Sequence, residues 1–209
     1  MLTIDNLSCS RGNNILFKNL GITLGDNCIL VIRGENGCGK TTLLETITCL
    51  RKAAAGRILY ANKDVSGEHF REYCDIIQYI GHKTAIKPQL TVKENIEFWA
   101  SLKGNIQAVQ AAISFWGLKK YENTICAALS AGYQKRVALA KLMVTNATIW
   151  LLDEPFVNLD EDGKNTLATL IASRCERGGT VVVTAHGEVP FVGCLELDLG
   201  DFQMISGGS

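Results

Sequence analysis

Residues 28–42, CILVIRGENGCGKTT, constrain the chain more than any other stretch. An unbroken apolar run enters a glycine-rich loop, and TLLETITCLRK (42–52) follows with helical character. Strand, loop and helix in that order form a phosphate cradle: the glycines let consecutive N–H groups turn inward, and the helix presents its positive end to the same anion. The loop residues Gly34, Glu35, Asn36, Gly37, Cys38, Gly39 and Thr42 are expected to surround the phosphates of a nucleoside triphosphate such as ATP. Lys40 would bridge its β- and γ-phosphates, and the Thr41 hydroxyl would ligate Mg2+. Cys38 sits beside Lys40 and a helix start, so its thiol is expected to react with an alkylating agent and to be protected by nucleotide.

Further apolar, β-branched runs at RILY near Ile58, IIQYI (76–80), TIWLLD and TVVVT (180–184) do not alternate. That pattern predicts parallel strands covered on both faces, hence an α/β core. Residues 2–24 carry short alternating runs broken by Arg11-Gly12-Asn13-Asn14, which predicts an antiparallel β-layer with a hairpin turn. Between residues 82 and 146 the pattern turns helical, predicting an inserted helical subdomain between core segments 1–81 and 147–205. Its Phe98, Trp99, Phe115 and Trp116 would form a small core of their own or leave one or two rings for a membrane partner. The final ISGGS is expected to fray. At 209 residues the chain fits one domain with an insertion.

Twenty-one basic residues balance twenty-one acidic ones, which argues against a nucleic-acid partner. Eight cysteines without a CxxC pair or zinc-ligand spacing read as buried thiols of a reducing compartment. No apolar stretch approaches the ~18 residues of a membrane span, and no signal pattern opens the chain, so a membrane role would come through a partner.

Two other strings carry chemistry. IWLLDEP (149–155) puts two carboxylates at a strand exit, where open parallel sheets hold their ligands. Asp153 would hold the magnesium shell and Glu154 would polarise or deprotonate the attacking water. In LSAGYQKRVALAK (129–141), Ser130 is a good N-cap, and Ala131-Gly132 leave the first N–H groups of a largely apolar helix open to an anion. Such a helix tip suits a second phosphate contact.

Phosphate loop, signature string, strand acids, FVNLD with Asp160, and TAHGE with His186 occur in an order that resembles the nucleotide-binding subunits of ATP-binding cassette (ABC) transporters. The resemblance covers nearly the whole chain. It implies the P-loop NTPase fold of the ABC type, and two cassettes packed head to tail. In that homodimer Ser130 and Gly132 of one copy contact the γ-phosphate held by the other, and His186 contacts the γ-phosphate and the partner's D-loop. Three positions depart from the family pattern. The adenine-stacking aromatic falls near Arg11, so stacking would come from its guanidinium or from a neighbour such as Phe17. The glutamine that senses magnesium aligns with His82, not Gln89. The signature carries Ala131 and Tyr133 where Gly and Gln are common.

An IGH segment, IKPQLTVKENIEFW, the LSAG signature and DEPF together resemble the ATP-binding subunits of haem exporters of cytochrome c biogenesis. That implies an ATPase at the cytoplasmic face of the inner membrane, docked on multi-span subunits and driving haem export or release of a haem-loaded chaperone. Other compact exporters of peptides or lipids, and a soluble ABC-type ATPase, are the alternatives.

Overall fold

A computed structural model describes residues 1–12, 14–102 and 104–203. In chain order its strands are β1 (Leu2–Arg11), β2 (Asn14–Leu24), β3 (Cys28–Arg33), β4 (Ala55–Tyr60), β5 (Lys63–Asp64), β6 (Ile77–Ile80), β7 (Ile149–Leu152), β8 (Thr180–Thr184) and β9 (Leu195–Asp198). Its α-helices are α1 (Lys40–Ile47), α2 (Phe70–Ile76), α3 (Val92–Leu102), α4 (Val109–Phe115), α5 (Ala131–Val144) and α6 (Glu161–Glu176). Two sheets form: an antiparallel one in the order β2-β1-β4-β5, and a parallel one in the order β6-β7-β8-β3-β9.

The parallel sheet explains the unbroken apolar strands. Along β7, Ile149 and Leu151 join one hydrophobic cluster while Trp150 and Leu152 join the other; along β8, Val182 joins the first and Val181 and Val183 the second. Period-two alternation therefore splits a uniformly apolar strand between two cores. The first core fills the space between the parallel sheet, α1 and the antiparallel layer; the second lies between the sheet, α6 and helices α3–α5.

Two expectations are corrected here, and one further strand is added. RILY belongs to β4 of the antiparallel layer, paired through Ile4↔Ile58 and Leu2↔Tyr60. Its first three residues are exposed and only Ile58 is fully buried, as suits a strand covered on one face. Gly56, at φ +82°, lies so close to β1 that a Cβ would strike the Asn6 carbonyl, so the strand passes a β1 irregularity that tolerates only glycine. Ile76 closes α2 and the strand starts at Ile77. The edge strand β9, LELD, was not anticipated because it is short and mostly exposed. Asn13 of the hairpin turn and the ISGGS end lie outside the described residues.

Residues of the helical segment share the second core with the sheet and α6. Trp116 is fully buried there and the half-buried Trp99 packs against that core. Phe98 meets Trp99 edge-on at 5.2 Å, while Phe115 stays 38% exposed. Helix α3 opens on a capping box: the Thr91 hydroxyl accepts from the Glu94 N–H (3.2 Å) and the Glu94 carboxylate accepts from the Thr91 N–H (2.8 Å). Among the described residues no helix is long and apolar enough to cross a membrane. Truncating the buried ring, Trp116→Ala, is expected to lower stability by about 3–5 kcal/mol, whereas Phe115→Ala should lower it by less than about 1 kcal/mol. Urea denaturation of the two variants measures the difference.

Candidate nucleotide-binding site

Three glycines shape the loop after β3, with φ of +135° at Gly34, +84° at Gly37 and +113° at Gly39. A Cβ on Gly39 would sit 3.2 Å from the Phe17 ring, so glycine is needed there for space as well as for backbone. Lys40 is buried, and its Nζ donates to the carbonyls of Gly34 (2.7 Å) and Glu35 (3.0 Å). An ammonium has three protons, so one remains for an anion. Glu35, Asn36 and Gly37 stay exposed at the mouth of the loop.

Cys38 differs from expectation. The side chain is 3% exposed and belongs to the first core, its Sγ 2.7 Å from where a Gly34 Cβ would lie. Because the thiol faces inward, only the backbone of Cys38 is available to the loop. Phe17 is likewise fully buried and cannot stack on a base. Arg11 and Leu16 line the cleft in its place, a space of about 210 Å³ shared with Asn36, Lys40, Thr41, Thr42 and Glu154.

Parallel order brings the ends of β6, β7, β8 and β3 side by side. Asp153 is 2% exposed and is the meeting point of these elements. Its N–H donates to the Ile80 carbonyl after β6 (2.8 Å), Oδ2 accepts from the Thr41 hydroxyl (2.7 Å), and Oδ1 accepts from the Thr184 hydroxyl of β8 (2.8 Å). Thr41 gives its proton to Asp153, which leaves its oxygen lone pairs free for a cation. Among the described residues no group of three or more His, Cys, Asp or Glu could hold a metal ion. A hydroxyl beside one carboxylate fits Mg2+, which takes one or two protein ligands and completes its shell with water and substrate phosphate.

The next residue, Glu154, adopts φ +46°. For a residue with a Cβ this left-handed conformation costs about 1–2 kcal/mol and persists where neighbours fix it. Its N–H donates to the Thr184 hydroxyl (2.8 Å), and its carbonyl accepts from the Lys135 ammonium (3.3 Å). The carboxylate lies 2.8 Å from His186 Nε2 and 3.7 Å from His82 Nδ1. The exposed His82 thus has the second acid as its neighbour. On the far side of Glu154 a larger cavity of about 460 Å³ opens between Phe156, Val157, Lys164 and the segment 184–190.

The tip of the signature string lies outside the phosphate-loop cleft. Ser130 caps α5 by accepting from the Tyr133 N–H (3.4 Å), and a Cβ on Gly132 would lie 2.9 Å from the Asn158 carbonyl. Neither residue lines the phosphate-loop cleft. One turn on, the buried Arg136 donates to Asp160 (2.6 Å), Asp162 (3.0 Å) and the Trp116 carbonyl (3.1 Å). Asp160 also caps α6 by accepting from the Gly163 N–H (3.0 Å). The Arg136 guanidinium, with that N–H, holds the Asp160 carboxyl below the usual carboxylate range. Burial pushes the Lys135 ammonium below its ordinary value.

A profile described as ABC transporter matches residues 17–157, spanning the phosphate loop, the signature string and both strand acids. The chain belongs to the ABC transporter family. Within that family it groups with curated relatives named cytochrome c biogenesis ATP-binding export protein CcmA. The relative from Wolbachia pipientis wMel is 41% identical over 186 residues, 89% of each chain. That from Pseudomonas putida strain GB-1 is 40% identical over 200 residues, covering 94% of this chain and 95% of its own. Among solved structures, an ABC transporter ATP-binding protein from Pyrococcus furiosus superposes with a TM-score of 0.84 at 25% identity, covering 97% of this chain and 99% of that one. A dimeric ATP-binding cassette in a post-hydrolysis state bound to ADP and Pi gives 0.77 at 26% identity, covering 90% and 88%.

In this ABC ATPase fold three residues of the candidate site carry little signal in the sequence. Thr184 orients both strand acids; its only sequence signal is a hydroxyl at the last position of an apolar strand, two residues before His186. Lys135 and Arg136 read as the polar start of a helix, yet are 4% and 6% exposed. Two outcomes follow from these positions. Cys38 should resist alkylation in the folded protein with or without nucleotide and react only on unfolding, as peptide mass mapping would reveal. Asp160→Ala should lower stability by about 1 kcal/mol at pH 7 through loss of the cap. A depressed folded pKa contributes stability above the unfolded value, near pH 4, and loses it as pH falls through the folded one. The gap between variant and wild type should therefore shrink in acid denaturation series below about pH 4.

Proposed function

We propose that this chain is the ATP-hydrolysing subunit of a membrane transporter in cytochrome c biogenesis, energising haem export or the release of a haem-loaded chaperone. The observation that carries the reading is the grouping of Lys40, Thr41, Asp153, Glu154 and His186 at one end of the parallel sheet, while Ser130 and Gly132 do not line the phosphate-loop cleft. Each chain would thus carry two separate halves of a phosphate site. A second copy, packed head to tail, would supply Ser130 and Gly132 to the triphosphate held by the loop, and the dimeric structural neighbour supports that arrangement.

Loop N–H groups from residues 34–42 and the remaining Lys40 proton would bind the phosphates, and Arg11 with Leu16 would flank the base. Thr41 and Asp153 would hold Mg2+, which when bound neutralises charge on the β- and γ-phosphates; His82 is a third candidate for its shell, through water. Glu154 would accept the proton of a water attacking the γ-phosphorus as the bond to the bridging oxygen breaks. His186, 2.8 Å from Glu154, would orient that carboxylate and contact the γ-phosphate.

Residues 1–81 and 147–205 would form the catalytic core and 82–146 the helical segment bearing the signature. The subunit would be a homodimer, peripheral at the cytoplasmic face of the inner membrane and docked on multi-span subunits, with no nucleic-acid partner. The names of the relatives, ATP-binding export protein of cytochrome c biogenesis, support this assignment. Glu154→Gln is expected to retain Mg-ATP binding while turnover falls about 10²–10⁴-fold, and to accumulate a nucleotide-bound dimer in size-exclusion chromatography with light scattering. Hydrolysis at the wild-type rate would remove Glu154 from the role of base.

A further inference from the structure

Glu154 is held in an unfavourable backbone conformation, and both ends of the constraint are visible. Its φ of +46° brings its N–H to the Thr184 hydroxyl at 2.8 Å and its carbonyl to the Lys135 ammonium at 3.3 Å. Thr184 is part of the sheet. Lys135 comes from α5, the helix whose first turn carries Ser130 and Gly132. The lysine is 4% exposed and, among the described residues, its Nζ has the Glu154 carbonyl as its one hydrogen-bond acceptor and no carboxylate within ion-pair distance. The Asp153 and Glu154 carboxylates favour its charge from beyond ion-pair distance, but burial outweighs them, and a methyl-terminated chain of similar volume would fill the space without desolvating a charge.

We infer that Lys135 is a positioning residue for Glu154, holding the backbone of the base through its carbonyl and linking that base to the tip of the signature helix. Lys135 lies five positions after Ser130, about 7.5 Å along a rigid helix. A small shift of α5, when its tip engages the triphosphate bound by the opposite copy, would therefore reach the carbonyl of Glu154 in its own copy directly. Each chain's base would be set by the nucleotide in the opposite site. This rests on reading Glu154 as the base.

The test uses the full chain with Lys135→Met, which keeps the stem and removes the charge, and Lys135→Arg, which restores a donor. Single-turnover hydrolysis, Mg-ATP affinity and thermal unfolding are measured for each, alone and combined with Glu154→Gln. Lys135→Met should slow hydrolysis about 100-fold, the scale of a misplaced catalytic group. Its nucleotide affinity should stay within about twofold and its unfolding temperature should match or exceed wild type. Lys135→Arg should recover at least about a tenth of the wild-type rate, and Lys135→Met should slow the Glu154→Gln variant by no more than about twofold further. Wild-type turnover in Lys135→Met would overturn the inference. So would a rate loss accompanied by a fall in unfolding temperature and affinity, or an undiminished effect in the Glu154→Gln background. Full turnover in Glu154→Gln alone would instead sink the assignment of the base, separating the two failures.

Discussion

One buried carboxylate ties the nucleotide end of this molecule together. Asp153 accepts a hydroxyl proton from the helix after β3 and another from the end of β8, and its own N–H reaches the end of β6. Four elements thereby share one set of hydrogen bonds, the longest of which joins residues 112 positions apart. Inside a protein an unpaired carboxylate would be strongly unfavourable, so the arrangement of strand ends and the satisfaction of Asp153 are mutually required. Losing one hydroxyl would leave a buried oxygen unmatched and loosen the register between β7 and its neighbours.

The residue beside it bears the consequence. With Asp153 fixed inward, Glu154 must turn sharply to project into the cleft, and it does so at positive φ. Neighbours from three elements hold it there: Thr184 on its amide, Lys135 on its carbonyl, His186 beside its carboxylate. Strained backbone that is fixed on every side is a recurrent property of reactive positions.

A second tie runs between the signature helix and the segment before α6. Arg136 spans Asp160, Asp162 and the Trp116 carbonyl, so the first turns of α5, the acid that caps α6 and the helical segment are tied together. The larger cavity beside Glu154 is bounded by α6 residues and the segment 184–190.

Much of the candidate site was legible in the sequence because its chemistry is local. The glycines at 34, 37 and 39 need positive φ within six consecutive residues, and the acids at 153 and 154 follow directly from an apolar strand. Strand type was harder, since RILY looks like the buried strands until its partner is known, and β9 has too few apolar residues to register. What escaped altogether was direction: Cys38 and Phe17 turn into the core, Lys135 and Arg136 turn from a polar helix start into buried contacts, and Thr184 becomes a hinge between two acids. Sequence by itself determined which backbone is shaped to wrap an anion and that a parallel core covered on both faces exists, because steric freedom and apolar content belong to each residue. Only the tertiary structure decided which polar side chains meet, because a hydrogen bond between residues a hundred positions apart depends on strand order, and no local pattern encodes that order.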